Sequence, residues 1–440
     1  MGKLSLWEGK MREILVQKIT EAIRMPFPAF TRRDVFRPTA AGKKAYAVIG
    51  MRRAGKTTYL WQVMAEAAQA GAPREAMLYF NCEDDRLAPM DTTVLDAALE
   101  EYYRLYPTAR TQSALLCWDE IQTVAGWERF IRRVMDTEQA QIYLSGSSAR
   151  LLSREIATEM RGRALEVRIY PFSFREYLRH RGMEPTCDWA YLSKEERSAI
   201  DHALEAYLTE GGFPEVVGVD ARSRIELLRS YVDAALLRDV VERYQVAHPT
   251  ALRWLIRQLL GSAGSPFSAH KFHNDLKAQG FSIGKDRVYE YLSHLEDAFL
   301  IRSVSLATAS ERKRMTNPRK AYPIDPALIP LYARTVQRNR GHALETVVYL
   351  ELERRGAEVG YVRTASGYEV DFYARYPTGE TELIQVCADW SDTETREREV
   401  RALQEAQVEF PEARACILTL NPPPRSASIP VVRASAWLLG

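Results

Sequence analysis

Gly50-Met-Arg-Arg-Ala-Gly55-Lys56-Thr57-Thr58 follows Ala45-Tyr-Ala-Val-Ile and precedes Tyr59-Leu-Trp-Gln-Val-Met, and this stretch decides the fold. It matches G-x-x-x-x-G-K-[ST], and the pattern carries meaning only between a strand and a helix. Both flanks fit: a short apolar run precedes it, and apolar residues at a period near 3.6 follow. Glycines allow backbone N–H groups to turn inward around phosphates, and the helix N-terminus adds the positive end of its dipole. Gly50, Arg53, Ala54, Gly55, Lys56, Thr57 and Thr58 are therefore the candidate nucleotide-binding residues. Lys56 would neutralise β/γ-phosphate charge, and Thr57 would offer a hydroxyl to Mg²⁺. ATP and Mg²⁺ are the expected cofactors.

Working outward, short apolar runs recur at residues 77–80, 115–118, 142–144 and 165–169, separated by segments of helix length. This alternation predicts an α/β fold, a parallel, doubly wound sheet of the P-loop NTPase kind. The run 114–118 ends in Asp119-Glu120, which places Asp119 at the carboxyl edge of the sheet as a metal ligand and Glu120 as general base for water. The run 142–144 ends in Ser145-Gly-Ser147-Ser, so Ser145 or Ser147 is a candidate polar sensor of the γ-phosphate, or caps the following helix. Arg163 lies just before the last run and is a candidate for stabilising transition-state charge, within the subunit or in a neighbour, or else a solvated surface arginine.

The rest of the chain is organised in blocks. Residues 1–40 read as a helix and linker, 41–175 as the ATPase core, 176–248 as a helical connector, 249–335 as a winged-helix-like domain and 336–440 as a small α/β domain. In the fourth block, Lys285 and Arg287 begin the segment that would be a recognition helix. Arg312, Lys313, Arg314, Arg319 and Lys320 concentrate where a wing would be, a pattern that suits phosphate contacts with DNA, a solvated loop or a protein-docking surface. In the last block Glu345, Asp371 and Glu382-Leu-Ile-Gln385-Val-Cys387 follow the order of a restriction-type nuclease. Gln385 and Cys387 stand where an acid and a lysine are needed, so cleavage is not expected. His270 and His273 lack a third ligand in sequence and read as helix-surface residues.

Several of these stretches together resemble the large prokaryotic group of AAA-type ATPases whose ATPase domain is followed by a C-terminal domain of unknown function. They are the phosphate loop, Phe80-Asn-Cys-Glu-Asp-Asp-Arg-Leu, Trp118-Asp-Glu-Ile-Gln, Leu144-Ser-Gly-Ser-Ser, Arg161-Gly-Arg, Tyr170-Pro-Phe-Ser-Phe-Arg-Glu-Tyr, Gly211-Gly-Phe-Pro-Glu and Tyr368-Glu-Val-Asp-Phe. The resemblance covers almost the full length. It implies an AAA-like core, related also to signal-transducing P-loop ATPases, then a winged-helix element and a nuclease-like fold.

Composition narrows the function classes. The 440 residues are 46% hydrophobic and 27% charged, ordinary globular proportions. Sixty Lys and Arg against 58 Asp and Glu leave +2, so any polyanion site must be regional. Five scattered cysteines without a CxxC pair suggest reduced thiols, and no apolar run suggests a signal peptide or membrane span. The expectation is a cytoplasmic homo-oligomeric ATPase coupling hydrolysis to DNA remodelling or translocation. The alternative is a nucleotide-dependent signalling switch acting on a protein partner.

Overall fold

The computed structural model describes residues 2–39, 42–146, 160, 162–333, 336–421 and 428–440, and it divides into two compact units, Met1–Tyr170 and Pro171–Gly440. In the first unit, helix α1 (Gly2–Arg24) precedes β1 (Ala45–Ile49), α2 (Lys56–Gln69), β2 (Met77–Asn81), α3 (Thr92–Leu105), β3 (Ala114–Asp119), α4 (Trp127–Thr137), β4 (Ala140–Gly146) and β5 (Ala164–Arg168). The strands form one parallel sheet in the order β2-β3-β4-β1-β5. All six residues of β3 are buried, as a strand covered by helices on both faces requires. Helix α4 buries Trp127, Phe130, Ile131, Val134 and Met135, spaced to form one apolar stripe. Phe130, Ile131 and Val134 each contribute about 1.5–3 kcal/mol by leaving water. Trp118 of β3 meets Phe80 and Phe130, with ring centroids 5.4 and 5.3 Å apart. The α/β parallel-sheet expectation holds, and the sheet brings the ends of β1, β3 and β4 to one edge.

The second unit opens with α5 (Phe174–His180), started by a reciprocal cap in which Ser173 and Glu176 satisfy each other's backbone N–H. Next come α6 (Lys194–Glu210) and α7 (Ala221–Ala234), the latter running on as a π-helical segment, Ala235–Glu242. Gly211-Gly212 between them is a close-packing point. A Cβ on Gly212 would fall 2.3 Å from the Phe172 carbonyl oxygen, and its N–H donates to buried Asp325 at 2.7 Å. Burial pushes the Asp325 carboxyl up to about 7.

Then follow α8 (Pro249–Gly261), β6 (Pro266–Phe267), α9 (Ala269–Ala278), α10 (Lys285–Asp297), β7 (Ile301–Leu306) and β8 (Arg319–Pro323). Strand β8 pairs antiparallel with both β6 and β7. The last part holds α11 (Val336–Arg354), β9 (Glu358–Arg363), β10 (Glu369–Arg375), β11 (Thr381–Cys387), α12 (Thr393–Glu409), β12 (Arg414–Thr419) and β13 (Val431–Arg433). Strand β7 also pairs parallel with β9, so all of these strands share one mixed eight-stranded sheet, β13-β12-β11-β10-β9-β7-β8-β6. Strand β9 has no counterpart in the sequence reading, since Glu358-Val-Gly-Tyr-Val-Arg alternates only weakly. Residues 311–316, read as part of a wing loop, are a short helix whose first turn is capped by Ser310.

Candidate functional site: the phosphate loop

Residues 50–55 leave the carboxyl end of β1 and enter α2. A Cβ on Gly50 would lie 2.1 Å from the Ile169 carbonyl oxygen, so only glycine fits there. Arg53 and Gly55 have φ of 66° and 99°, the left-handed turns that curl the loop back over the helix N-terminus. Lys56 is buried, and its ammonium donates to the loop's own carbonyls, Gly50 O at 3.1 Å and Met51 O at 3.2 Å. Its charge thus sits inside the ring of backbone where a phosphate would be held.

Thr57 and Asp119 meet as the sequence predicts: the Thr57 hydroxyl donates to Asp119 Oδ2 at 2.8 Å. Buried Asp119 also accepts from the Tyr79 hydroxyl at 2.7 Å, and from Ser145 Oγ on its other oxygen. Burial first, and then the Asp119 charge, holds the Tyr79 phenol well above its ordinary range, so Tyr79 stays a hydrogen-bond donor. Two hard oxygens side by side at a phosphate loop suit magnesium, which keeps most of its waters and takes one or two protein ligands. The residues present therefore fit that ion.

Glu120 follows in the left-handed region at φ 53°, a conformation that costs a non-glycine residue on the order of 1–3 kcal/mol. Its N–H donates to Ser145 Oγ at 3.1 Å, and its carboxylate accepts from Gln122. Ser145 thus touches both acidic residues. Register explains the meeting: Val48 pairs with Ser145, Ile49 with Gly146, and Trp118 with Leu144.

Of the other sequence-predicted residues, Arg163 stands apart from this cluster. Arg163 precedes β5, and Ala164 pairs with Ala45 at the amino end of β1. A five-residue strand, about 16 Å, separates it from the loop. It forms an exposed ion pair with Asp136 at 2.6 Å, so it cannot serve the phosphates of its own chain. Ser147 lies outside the described residues. Arg33 is a loop-supporting residue that sequence reading missed. From the linker after α1 it donates to Ala54 O at 2.9 Å and to Tyr170 O, while Gln62 of α2 bonds its backbone on both sides. An arginine in a proline-rich linker carries no signal of such a role. Lys56→Ala should keep the folded state, read by circular dichroism, yet abolish tight binding of a fluorescent ATP analogue; near wild-type affinity would remove the loop's assigned role.

The predicted nucleic-acid residues scatter. Lys285 and Arg287 are exposed on the first turn of α10, where Arg287 pairs with Glu290. Arg312, Lys313 and Arg319 are exposed, whereas Arg314 folds back on Thr308 O and Glu311. Lys320 corrects the surface reading. It is 1% exposed, and its ammonium lies 3.2 Å from Glu345, 2.8 Å from Glu369 and 3.1 Å from Asp371. The carboxylate cluster read as lacking a lysine therefore has one, supplied by β8. Gln385 accepts from the Asp371 N–H, and Cys387 is buried with its thiol on Asp389 O. His273 bonds Ile283 O and His270 bonds Asn274, and among the described residues no group of three His, Cys, Asp or Glu is arranged for a metal. Nor is any described helix long and apolar enough to cross a membrane.

A family described as an AAA domain matches residues 42–178, and one described as a domain of unknown function matches residues 201–338. The chain is 33% identical over 371 residues to an uncharacterized protein of Methanocaldococcus jannaschii, covering 82% of this chain and 78% of that one. It is 28% identical over 329 residues to an uncharacterized protein of Haemophilus influenzae, covering 74% and 78%. Among solved structures it is similar to the Walker-type ATPase of Pyrococcus abyssi, with a TM-score of 0.44 and 15% identity over 73% of this chain and 95% of that one.

Proposed function

Because the chain belongs to the prokaryotic family of AAA-type P-loop ATPases with a C-terminal domain of unknown function, we propose that it hydrolyses ATP with Mg²⁺ and couples hydrolysis to remodelling or translocation of DNA. The observation that carries the hydrolytic part is the contact set of Lys56, Thr57, Asp119, Glu120 and Ser145 at one sheet edge. Lys56 and the loop N–H groups hold the phosphates. Thr57 and Asp119 would hold Mg²⁺, which would supply positive charge to offset that of the phosphates. Glu120 takes a proton from the attacking water, and Ser145 keeps Glu120 and Asp119 in register.

The DNA part rests on the helix–strand–helix–helix–strand–helix–strand order of residues 249–323, which we read as winged-helix-like with a short helix in the wing, and on exposed Lys285, Arg287, Arg312, Lys313 and Arg319. Active hydrolysis in a ring of copies is part of the same reading. We read residues 336–440 as a nuclease-like scaffold without cleavage, supported by Gln385 in place of an acid and by the Lys320 ammonium, which is already engaged with three carboxylates. The second reading, a nucleotide switch acting on a protein, draws support from the burial of Lys320, which removes one cation from the proposed wing.

ATPase rate with and without duplex DNA, in wild type and in a variant with Arg312, Lys313 and Arg319 changed to Gln, separates the two. On the DNA reading, DNA stimulates turnover, and the variant flattens the slope of log affinity against log salt by roughly 2 to 3. No DNA effect on rate and no binding at low salt would favour the switch.

A further inference from the structure

Helix α8 is two-faced. Leu252, Leu255, Ile256 and Leu259 are buried, while Arg253, Trp254, Arg257 and Gln258 are exposed. Trp254 is 43% exposed, an unusual place for a large aromatic ring with no core to fill. Its face forms one wall of a cleft of about 990 Å³, whose other side is α7 and the π-helical turn that extends it, with Arg229 and Asp233 pointing in and Tyr332 alongside. Such a π-turn often marks a functional surface. Among the described residues Arg253 and Arg257 make no ion pair or hydrogen bond, and Arg229 has only a 3.9 Å approach to exposed Glu226. Three guanidinium groups against one carboxylate leave the cleft positive although the chain as a whole is nearly neutral.

A second cavity, of about 800 Å³, shares Ser265 and His342 with this cleft and is lined beyond them by five acids, Glu345, Glu369, Asp371, Asp389 and Glu399, against Arg340 and Arg398. Lys320 and the two arginines do not offset five acidic side chains, so a polyanion favoured in the cleft is repelled at that end. The favourable path is therefore along α8. Arg253 and Arg257 lie one helical turn apart, about 6 Å, and give successive phosphates a counter-charge each. Between them Trp254 offers a flat ring to a base. In a duplex the base faces are already stacked on one another, whereas an unpaired base can lie on an exposed aromatic.

We propose that this cleft binds single-stranded DNA, with phosphates on Arg229, Arg253 and Arg257 and one base stacked on Trp254. The proposal rests on the DNA-associated reading above and deepens it, since it assigns the unpaired strand to a surface separate from the basic residues of α10 and residues 311–319. An acidic peptide would use the arginines but gain nothing from the ring.

The test is anisotropy titration of the full chain with labelled oligo-dT and with a duplex at several salt concentrations. Trp254→Ala should weaken oligo-dT binding by roughly 5- to 150-fold, the value of one base–aromatic stack. Changing Arg229, Arg253 and Arg257 together to Gln should flatten the salt slope by about 2, at about 0.7 per single-strand phosphate contact. Tryptophan fluorescence should be quenched by oligo-dT in wild type, and that quenching should vanish in Trp254→Phe. All positions are exposed, so unchanged melting curves are expected for every variant. Variants that bind oligo-dT as wild type does overturn the cleft proposal alone, as does wild-type binding confined to duplex. Displacement of oligo-dT by polyglutamate at equal charge, with Trp254→Ala without effect, overturns it in favour of an acidic peptide. Failure of the wild type to bind either DNA at low salt overturns this proposal and the DNA-associated reading together.

Discussion

Glu120→Gln is expected to bind ATP as tightly as wild type and to hydrolyse it roughly 10²- to 10⁴-fold more slowly, the usual worth of a positioned general base. The amide keeps the size of the side chain and can still face the water. It cannot accept the proton. Its backbone hydrogen bond to Ser145 Oγ is untouched, so the left-handed turn that presents residue 120 beside Asp119 survives the change. Binding, read with a fluorescent nucleotide, and turnover, read as phosphate release, should therefore separate. Turnover within threefold of wild type would move the base elsewhere, and a loss of affinity equal to the loss of rate would show that Glu120 acts in binding.

Lys320→Met is expected to destabilise the second unit by about 3–5 kcal/mol, the cost of removing one partner from a buried ion cluster. Lys320 is 1% exposed, and Met fills much of its volume, so the loss reports charge more than packing. Burial alone lowers the pKa of the ammonium, but Tyr322 and the three carboxylates outweigh it and hold it well above its ordinary value. Burial pushes the Glu345 carboxyl up to about 7 despite Lys320. Both shifts are upward in the folded state, and the sign follows. The stability that Glu345 contributes is fully present below its unfolded pKa, about 4.3, and is lost as pH rises through about 7. Without the ammonium, Glu345 faces Glu369 and Asp371 with no counter-charge, the Glu345 carboxyl is pushed up further, and acid relieves the repulsion. Urea unfolding should thus show a larger deficit for the variant at pH 8 than at pH 5. A variant as stable as wild type at pH 8 would mean that the cluster is hydrated and the lysine dispensable.

How much of this was legible beforehand depended on whether a feature is local. Asp119, Glu120 and Ser145 each stand at a strand end marked by an apolar run, Lys56 and Thr57 open the helix just after another, and parallel strands of similar length must bring such ends to one edge. Their meeting follows from the sequence once the strands are recognised. The α/β class and the strand–helix alternation follow in the same way, and so do the helices after residue 170, whose caps and apolar spacing are written within each segment.

Features set by pairing between distant strands were not legible. Arg163 was placed by its distance in sequence from β5, but only the parallel register of β5 on β1 shows that it starts from the far edge. Arg33 reaches Ala54 and Tyr170 from a linker whose path no periodicity encodes. Lys320 is the sharpest case. Read in one dimension it belongs to a basic cluster of five, because alternation along a strand says which residues share a face but not what covers that face. The β7–β9 ladder joins the strands of residues 266–323 to those of residues 358–433 in a single sheet, and that junction turns Lys320 toward Glu345, Glu369 and Asp371. The sequence by itself determined a phosphate loop with its acidic strand end, because contiguous residues build both. Only the tertiary structure decided which cations face water and which are consumed inside, because burial of a charge depends on partners tens of residues away.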